Sequence, residues 1–405
     1  MVVVHLTASP FFGGPERQML GLAMNLPPDI RPVFLSFSEG GKCRPFLGQV
    51  RSHDLVGIEL RHNTSTLPLA VREVEEHLQT LRADVLCCHG YKADVIGWIA
   101  ARLAGIPVVA VSRGWTAATA KVRCYESLDR LVLRWMDRVV CVSEGQAARV
   151  CRAGVPEERV AVIRNAIDLA RFDEPDPAYR QKLRDLFPVP CGPVICAAGR
   201  LSPEKGFDWL VEAARRVADA DTSAGFVLFG DGPMHAALAR RILRLGLSAR
   251  FVLAGFRDDV DRFLPHANLI VLPSLTEGLP NVALEASAAG RAVVATAVGG
   301  TPEAVRDGLN GHLVPPANAA MLADCILHCL THPAETRAMG QRGRQWVRDH
   351  FSFTAQAIAY ERLFARLTPA EQLSSGCLPP DSLLSPADPT LVVSPLSGDS
   401  ENGRE

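Results

Sequence analysis

The sequence lacks a surplus of either charge. Its 405 residues contain 43 lysines and arginines against 44 aspartates and glutamates, which gives a formal net charge of −1. Proteins that bind nucleic acid usually carry a basic patch or a high pI, because contacts to phosphates dominate their affinity. We therefore expect no nucleic-acid partner.

Signals for membrane insertion and secretion are also missing. No uncharged run is long enough to cross a bilayer. The apolar segment from Met1 to Pro15 has no basic residues in front of it, and its pattern predicts a strand followed by a glycine turn. We expect a cytoplasmic protein, with peripheral contact to the inner face of a membrane as the alternative to free solution.

The cysteines do not form the pattern of a disulfide framework. There are eleven, an odd number, and several lie inside apolar runs: Cys87, Cys88, Cys141 and Cys196. Buried free thiols in a reducing compartment fit this pattern better. Cys325 and Cys329 flank His328, but the second pair of ligands that a zinc site requires is missing, so no bound metal is expected.

Short apolar runs alternate with longer amphipathic segments along most of the chain. The runs are apolar on both faces, as parallel strands covered by helices are, so the fold class is predicted to be α/β. The predicted strands are Val2–Leu6, Val33–Phe37, Val85–Cys88, Val108–Val111, Val139–Val142, Val194–Ala197, Phe226–Phe229, Leu269–Leu272 and Ala292–Ala295.

The chain is too long for one core of ordinary size, and the alternation restarts after the polar, proline-bearing stretch from Asp173 to Pro193. This predicts two doubly wound domains joined by a linker. The predicted boundaries are 1–170 and 190–348 for the domains, 171–189 for the linker, 349–367 for a final helix that could cross back to the first domain, and 368–405 for a disordered tail.

Two cations follow the first strand of the second half. The segment Gly199–Gly206 comes directly after Val194–Ala197, which places Arg200 and Lys205 at the carboxyl end of a parallel strand, where open α/β sheets bind ligands. A planar guanidinium and a compact ammonium together suit a diphosphate. The alternative is a surface ion pair with Glu204 or a neighbouring acid.

The segment from Glu277 to Glu285 follows the strand Leu269–Leu272 and opens a helix with Pro280 near its first turn. A helix N-terminus offers free N–H groups and a positive dipole end to a phosphate. Carboxylates accept hydrogen bonds from vicinal diols, so Glu277 and Glu285 suit sugar and ribose hydroxyls. The alternatives are that Glu277 caps the helix and that Glu285 lies on a solvated helix face. The apolar neighbours of Glu285 disfavour the second alternative.

In the first half, the glycine turn Gly13-Gly14 follows the first strand and leads into a helix, so its N–H groups could approach a phosphate closely. His89 lies at the carboxyl end of Val85–Cys88. The alternatives are that the Gly13-Gly14 turn only connects two elements and that His89 has a structural role.

These motifs, taken in order, resemble glycosyltransferase family 4 over nearly the whole chain, to about residue 365. Each piece is weak, but their order and spacing are specific. The pieces are Gly13-Gly14 with Glu16, His89, Val142-Ser143-Glu144, Asn165-Ala166-Ile167-Asp168, Gly199-Arg200-Leu201 with Lys205-Gly206, Gly230-Asp231-Gly232-Pro233, Glu277 through Glu285, and Val298 through Glu303.

The resemblance implies a GT-B architecture, in which two Rossmann-like doubly wound domains face each other across a cleft and the second holds most of the nucleotide. It implies that Arg200 and Lys205 bind the donor diphosphate, that Glu285 binds the ribose and that Glu277 binds the transferred sugar. His89 would contact that sugar. The implied substrate-binding set also includes Gly13, Gly14, Glu16, Gly278, Leu279 and Pro280.

Members of this family retain the anomeric configuration and generally use no bound metal. The resemblance therefore implies that no cofactor is needed, since the cations and helix dipoles stabilise the leaving diphosphate. Two further features are open. Arg113 could help to place the acceptor or could be a surface residue beside a packed tryptophan, and the basic segment Lys121–Arg138 could lie on an anionic membrane or be an ordinary helix.

The sequence thus predicts a retaining glycosyltransferase that moves a hexose from a nucleotide diphosphate sugar to a saccharide or lipid-linked acceptor. A dehydrogenase would need G-x-G-x-x-G after the first strand, where this chain has Gly13-Gly14-Pro15-Glu16. An epimerase or phosphorolytic enzyme of the same fold, and a non-catalytic protein that binds sugar nucleotides, are the remaining alternatives.

Overall fold

The computed structural model of the chain describes residues 1–9, 11–115 and 120–368. The predicted tail, apart from Thr368, lies outside these residues. The described strands of the first unit are β1 Val2–Thr7, β2 Arg31–Phe37, β3 Val56–Leu60, β4 Val85–His89, β5 Val108–Ser112, β6 Arg138–Cys141 and β7 Val160–Val162. Those of the second unit are β8 Val194–Ala198, β9 Gly225–Phe229, β10 Phe251–Gly255, β11 Leu269–Leu272, β12 Val293–Thr296 and β13 Gly311–Val314.

Helices connect these strands. In chain order they are α1 Gly14–Asn25, α2 Arg44–Ser52, α3 Leu67–Thr80, α4 Tyr91–Ala104, α5 Ala120–Leu133, α6 Glu144–Arg152, α7 Ala178–Arg184, α8 Phe207–Ala220, α9 His235–Arg244, α10 Val260–Phe263, α11 Asn281–Ala288, α12 Thr301–Ala304, α13 Ala319–Thr331, α14 Pro333–His350 and α15 Phe353–Ala365. None of the helices in the described ranges is both long and apolar enough to cross a bilayer.

Both sheets are parallel and doubly wound. The first has the order β3-β2-β1-β4-β5-β6-β7, and the second has the order β10-β9-β8-β11-β12-β13. The direction of winding reverses between β1 and β4 in the first sheet and between β8 and β11 in the second. Such switch points leave a crevice at the carboxyl ends of the two strands, and ligands of open α/β sheets bind there.

Every strand predicted from an apolar run falls on an observed strand, whereas β3, β7, β10 and β13 were not predicted. These four are the edge strands of the two sheets. An edge strand has a neighbour on one side only and is less completely covered, so its sequence need not be apolar at every position. β3, with the sequence VGIEL, has one fully buried residue, Leu60.

The segments after each domain pack onto the sheets. Within 171–189, Tyr179 and Leu183 of α7 are buried in the core of the second unit. The final helix α15 returns to the first unit, where Tyr360 and Phe364 are buried against the strands β1, β4 and β5. The chain therefore crosses between the two units twice, and α15 covers the face of the first sheet behind the switch point.

Candidate active site

The predicted site residues follow the switch-point strands. The turn Gly13-Gly14 comes after β1 and His89 ends β4, while Arg200 and Lys205 come after β8 and Glu277 comes after β11. Contacts between the two units, described below, show that these two sets of loops face each other. The parallel topology thus brings residues from both halves of the sequence to one cleft.

The N-termini of two helices meet in this cleft. Helix α1 begins at Gly14 and helix α11 begins at Asn281, and a Cβ atom added to Gly14 would lie 2.6 Å from Nδ2 of Asn281. The Oδ1 atom of Asn281 accepts a hydrogen bond from Asn165 Nδ2 at 2.8 Å. The first N–H groups and the positive ends of two helix dipoles therefore point toward the same space, which favours an anion.

Lys205 pairs with Glu277. The Nζ atom of Lys205 lies 2.6 Å from Oε1 of Glu277, and Ser274 Oγ donates to the same oxygen at 2.7 Å. Of the partners that the alternative allowed, Glu204 instead accepts a hydrogen bond from Ser202, and the neighbouring acid that pairs with Lys205 is Glu277. The ammonium and carboxylate are joined because their parent strands β8 and β11 are neighbours.

Arg200 is exposed at the edge of the cleft and forms no ion pair with any residue of the described ranges. Its guanidinium is close enough to the first unit to act on Tyr91, the first residue of α4. Burial raises the pKa of Tyr91, and the guanidinium of Arg200 partly opposes this increase. Arg200 thus holds a positive charge over the cleft with its donors available to a ligand.

Glu285 lies in the second turn of α11 and reaches across to the first unit. Its Oε1 atom is 3.8 Å from Nη1 of Arg17, and 14% of the side chain is exposed. Burial raises the pKa of Glu285, although Arg17 and Arg171 lower it in part. This partly covered position excludes the alternative of a solvated helix face.

His89 pairs with another imidazole. Its Nε2 atom is 3.0 Å from Nδ1 of His5, and both rings are buried. Burial lowers the pKa of His5 to about 3 and holds the pKa of His89 well below its usual range, so both rings are neutral. The two rings come from different strands but share one face of the adjacent pair β1 and β4.

His5, Cys87 and His89 form a group of three potential metal ligands in the described part of the chain, with ligand atoms within 4.8 Å of one another. Burial raises the pKa of the Cys87 thiol to about 12, and the Arg113 guanidinium opposes this increase only in part. A neutral thiol beside a guanidinium is a poor setting for a metal cation, because zinc and similar ions bind thiolates. The group fits a hydrogen-bonded core better than a metal centre.

Glu16 shapes the glycine turn. Its carboxylate accepts from Ser9 Oγ at 2.8 Å and from the Gly13 backbone N–H at 2.9 Å, and the residue is buried. Both oxygens are thus engaged within the turn. Glu16 would therefore influence a substrate through the position of Gly13 and Gly14.

The turn Gly278-Leu279-Pro280 is packed against the first unit. Ser143 Oγ donates to the Gly278 carbonyl at 2.8 Å, and a Cβ atom added to Gly278 would lie 2.1 Å from the Arg113 carbonyl oxygen. Leu279 is buried in the core of the second unit. Arg113 is thereby placed at the junction of the units, and its Nε atom has no hydrogen-bond partner within the described ranges.

The residues that tie the two helix N-termini together were not predicted as site residues. Gln18 Nε2 donates to the Ala166 carbonyl at 2.7 Å, and its Oε1 accepts from the Ala166 N–H at 2.8 Å. Asn165 and Asn281 complete this network. Asn165 and Asn281 lie inside motifs that the sequence marks, but nothing local indicates that their amides meet across the cleft.

Comparison with known proteins agrees with this geometry. Residues 12–171 match the family model described as Glycosyltransferase Family 4, and residues 192–332 match the family model described as Glycosyl transferases group 1. The 2-deoxystreptamine glucosyltransferase of Streptomyces kanamyceticus is 30% identical over 338 residues, which are 77% of this chain and 85% of that protein. The chain belongs to glycosyltransferase family 4.

Other relatives of this family 4 glycosyltransferase support the same conclusion. A GDP-mannose-dependent mannosyltransferase of Mycolicibacterium smegmatis, which acts on a phosphatidylinositol monomannoside, is 27% identical over 69% of this chain and 75% of its own. Both relatives are named as transferases, so they give no support to the epimerase alternative. The predicted class, a glycosyltransferase, is confirmed.

Solved structures confirm the fold of this family 4 glycosyltransferase. Anabaena HepE in complex with UDP-glucose superposes with a TM-score of 0.80 at 24% identity, covering 90% of this chain and 100% of that one. The sucrose-phosphate synthase of Thermosynechococcus elongatus gives a TM-score of 0.76 at 20% identity, covering 91% and 99%. The predicted GT-B architecture is therefore correct.

Proposed function

We propose that this enzyme transfers a hexose from a nucleoside diphosphate to a hydroxyl group of a saccharide or lipid-linked acceptor, with retention of configuration and without a bound metal. The observation that carries the proposal is the convergence of Arg200, Lys205 and the N-termini of α1 and α11 on one cleft. This arrangement concentrates positive charge where a diphosphate would leave.

The proposed chemistry depends on charge that develops as the glycosidic bond breaks. The β-phosphate of the donor gains negative charge, and preorganised cations and helix N-termini stabilise it in a site from which water is largely excluded. A divalent cation performs this task in many phosphate enzymes. Here Arg200 and Lys205 would take that role, which is why we propose a reaction independent of metal.

The two glutamates have separate roles in this proposal. Glu285, held beside Arg17, would accept hydrogen bonds from the ribose of the donor. Glu277, which shares Lys205 with the diphosphate, would bind the transferred sugar close to the carbon that reacts. The proposed retention of the anomeric configuration rests on membership of glycosyltransferase family 4 and on the presence of the segment from Glu277 to Glu285.

The donor and acceptor are proposed by class. HepE binds UDP-glucose, whereas the mycobacterial relative is described as dependent on GDP-mannose, so a hexose donor is proposed without restriction to one base. One relative is named for 2-deoxystreptamine and the other for a phosphatidylinositol monomannoside, and the second name supports a hydroxyl acceptor of saccharide or lipid-linked type. That acceptor would enter from the first unit, opposite the nucleotide.

Transfer is tested by incubating the full chain with UDP-hexoses and GDP-hexoses, sugar acceptors and a lipid-linked monosaccharide, with and without excess EDTA. We expect acceptor-dependent release of nucleoside diphosphate that EDTA does not abolish. The anomeric configuration of the product, read by NMR from the one-bond coupling between C1 and H1 of the transferred hexose, should match that of the donor. Inversion, or activity that only magnesium or manganese restores, contradicts the corresponding part of the proposal.

We also propose contact with an anionic membrane through the α5 surface, defined by Leu128, Leu131 and Trp135 with Arg123 and Arg134. The three apolar residues are 41 to 46% exposed, and both arginines are exposed, with Nε of Arg134 donating to the Ala153 carbonyl. An apolar strip flanked by cations is suited to the headgroup region of anionic lipids.

The α5 surface is tested by sedimentation with vesicles of phosphatidylglycerol and phosphatidylcholine, and with vesicles of phosphatidylcholine alone. Binding to the anionic vesicles should weaken as the salt concentration rises. It should also be weaker for the double variant Leu128→Ser, Leu131→Ser than for the wild type. Equal binding to both kinds of vesicle, or unchanged binding of the variant, contradicts the proposal and leaves α5 as an ordinary helix.

A further inference from the structure

We infer that His5 is a positioning residue, which fixes the tautomer and ring orientation of His89 at the edge of the cleft. The inference rests on the proposed function in one respect, namely that His89 contacts the transferred sugar. It goes beyond that function because His5 itself lies within β1 and has no contact with the substrate in that proposal. Its side chain is fully buried.

Register places the two rings together. Strands β1 and β4 are parallel neighbours in which His5 is paired with Cys87 and Thr7 is paired with His89. Side chains two residues apart on a strand share a face, so His5, Cys87 and His89 all lie on the same side of the sheet. The Nδ1 atom of His5 lies 3.0 Å from Nε2 of His89.

The hydrogen bond between the rings links their protonation. Each neutral imidazole has one N–H and one lone pair, so only one ring can donate in this bond. If His89 donates from Nε2, its Nδ1 atom is an acceptor. If His5 donates from Nδ1, the proton of His89 must be on Nδ1, which is then a donor.

The surroundings favour the first arrangement. The guanidinium of Arg113 acts on both rings and disfavours additional positive charge on them. On a ring atom that faces this cation, a lone pair is favoured over an N–H, because the N–H would point its positive end toward the cation. Among the described residues, Nδ1 of His89, Nε2 of His5 and Nε of Arg113 have no hydrogen-bond partner, and all three atoms are buried. The His89 Nδ1 atom therefore has no partner within the described part of the protein, and a hydroxyl of the bound sugar would donate to it after displacing the groups that cover it.

Stacking holds the pair in this orientation. The ring of His5 stacks on Phe34 of the neighbouring strand β2, with centroids 5.1 Å apart. The ring of His89 meets that of His5 edge to edge, with centroids 5.3 Å apart and planes inclined by 27°, as their hydrogen bond requires. A buried hydrogen bond of this kind orients a catalytic or ligand-binding imidazole, much as the partners of metal-bound histidines do.

The tautomer can be measured in the free enzyme. The full chain is labelled with ¹⁵N-histidine, and the signals of His5 and His89 are assigned from His5→Phe and His89→Phe variants. We expect His89 to be a single tautomer protonated at Nε2. A wild-type His89 protonated at Nδ1, or averaged between tautomers, overturns the inference whether or not the enzyme transfers a sugar.

Kinetics separate a positioning role from a structural one. His5→Phe keeps an aromatic ring against Phe34 but removes the hydrogen bond, so we expect averaging of the His89 tautomer and a fall in turnover of about tenfold. His5→Gln offers a carbonyl that can accept from Nε2 of His89 and should restore most of the turnover. Binding of free nucleoside diphosphate should remain within about twofold in both variants, because His89 does not contact it.

The outcomes distinguish two kinds of failure. If His89→Phe retains full turnover, the proposed sugar contact of His89 is wrong, and the labelling experiment alone decides whether His5 fixes its tautomer. If His89→Phe loses turnover but His5→Phe changes neither the tautomer nor turnover, His5 is not a positioning residue. Equal losses in His5→Phe and His5→Gln, together with a lower melting temperature in both, would indicate a merely structural role.

Discussion

Lys205 and Glu277 form an ion pair across the switch point of the second sheet, with 2.6 Å between Nζ and Oε1. The pair joins the end of β8 to the loop after β11, so the cation proposed to hold the diphosphate also positions the carboxylate proposed to hold the sugar. Binding of the diphosphate by Lys205 and binding of the sugar by Glu277 are therefore coupled. Substitution of Lys205 should affect Glu277 as well, whereas substitution of Arg200 should not.

Arg200→Ala and Lys205→Ala should both lower kcat/KM by about 10- to 100-fold, since charge-assisted hydrogen bonds are worth about 1.5–3 kcal/mol each. Only Lys205→Ala should also lower the melting temperature, because it leaves Glu277, which is 9% exposed, without its cation. Steady-state kinetics and thermal unfolding measure the two effects. Arg216→Ala, an exposed position on α8, is the control. Near-normal activity in either cleft variant would contradict the assignment.

Gly14→Ala tests the close approach of the two helix N-termini. Gly14 has an ordinary helical position, so alanine should be tolerated by the backbone, but its Cβ atom would lie 2.6 Å from Nδ2 of Asn281. Overpacking of this kind typically costs about 1–3 kcal/mol. We expect a higher KM for the donor, because the Asn281 amide must turn away from the added methyl group and would lose its hydrogen bond from Asn165.

The matched control for Gly14 is Gly48→Ala. Gly48 lies in α2, where an added Cβ atom would meet nothing within 4 Å, so this change should leave kinetics unaltered and slightly favour the helix. Equal kinetics for Gly14→Ala and Gly48→Ala would show that the contact at Asn281 has no role in the reaction.

The pKa of Glu285 gives a prediction for stability. Burial raises this pKa above its usual value of 4.5, so the folded state binds the proton more tightly than the unfolded state does. The contribution of the Glu285 carboxyl group to folding stability is therefore fully present below its pKa in the unfolded state. It is lost as the pH rises through its pKa in the folded state.

Glu285→Gln removes the cost of a buried carboxylate. The variant should melt at a higher temperature than the wild type at about pH 7.5, and the difference should shrink as the pH falls toward 4.5, the ordinary pKa of the group. Thermal unfolding of both proteins between about pH 4 and pH 8 provides the comparison. A variant that is less stable than the wild type at neutral pH would show that the ion pair with Arg17 outweighs the burial.

Glu285 and Glu277 should also differ in kinetics. Glu285→Ala removes contacts to a part of the donor that does not react, so it should weaken binding of the nucleotide sugar and of the free nucleotide. Glu277→Ala removes contacts near the reacting carbon and should act mainly on kcat. Calorimetry with free nucleotide, beside steady-state kinetics, separates the two. Similar losses of nucleotide affinity would leave Glu277 a helix-capping or loop-positioning role.

The fold could be predicted from the sequence where burial is complete. Strands such as Val85–His89 are covered on both faces and must be apolar throughout, so a short apolar run marks them. Edge strands such as Val160–Val162 are only partly covered, and this one, although apolar, has only three residues, so its run is too short to stand out. Their pairing is decided by the neighbouring strand and cannot be read from the segment itself.

The sequence predicts those site residues whose positions follow from the order of parallel strands. Arg200, Lys205, Glu277 and His89 each follow or end a strand, and parallel strands share one ligand edge. The contacts between units were not predictable, since Gln18, Asn165 and Asn281 are ordinary amides until the domains meet. His5 was missed for a related reason: within an apolar strand, its partner becomes visible only when the register of β1 and β4 is known.

The central claim is that the second unit holds a nucleoside diphosphate through Arg200 and Lys205 without a metal ion. Calorimetric titration of UDP and GDP into the full chain in excess EDTA tests it directly. At least one of the two nucleotides should bind the wild type and the Arg216→Ala control equally, and its affinity should fall by more than about 100-fold in the double variant Arg200→Ala, Lys205→Ala, because two charge-assisted contacts are lost. Binding that requires a divalent cation, or that survives unchanged in the double variant, would contradict the account.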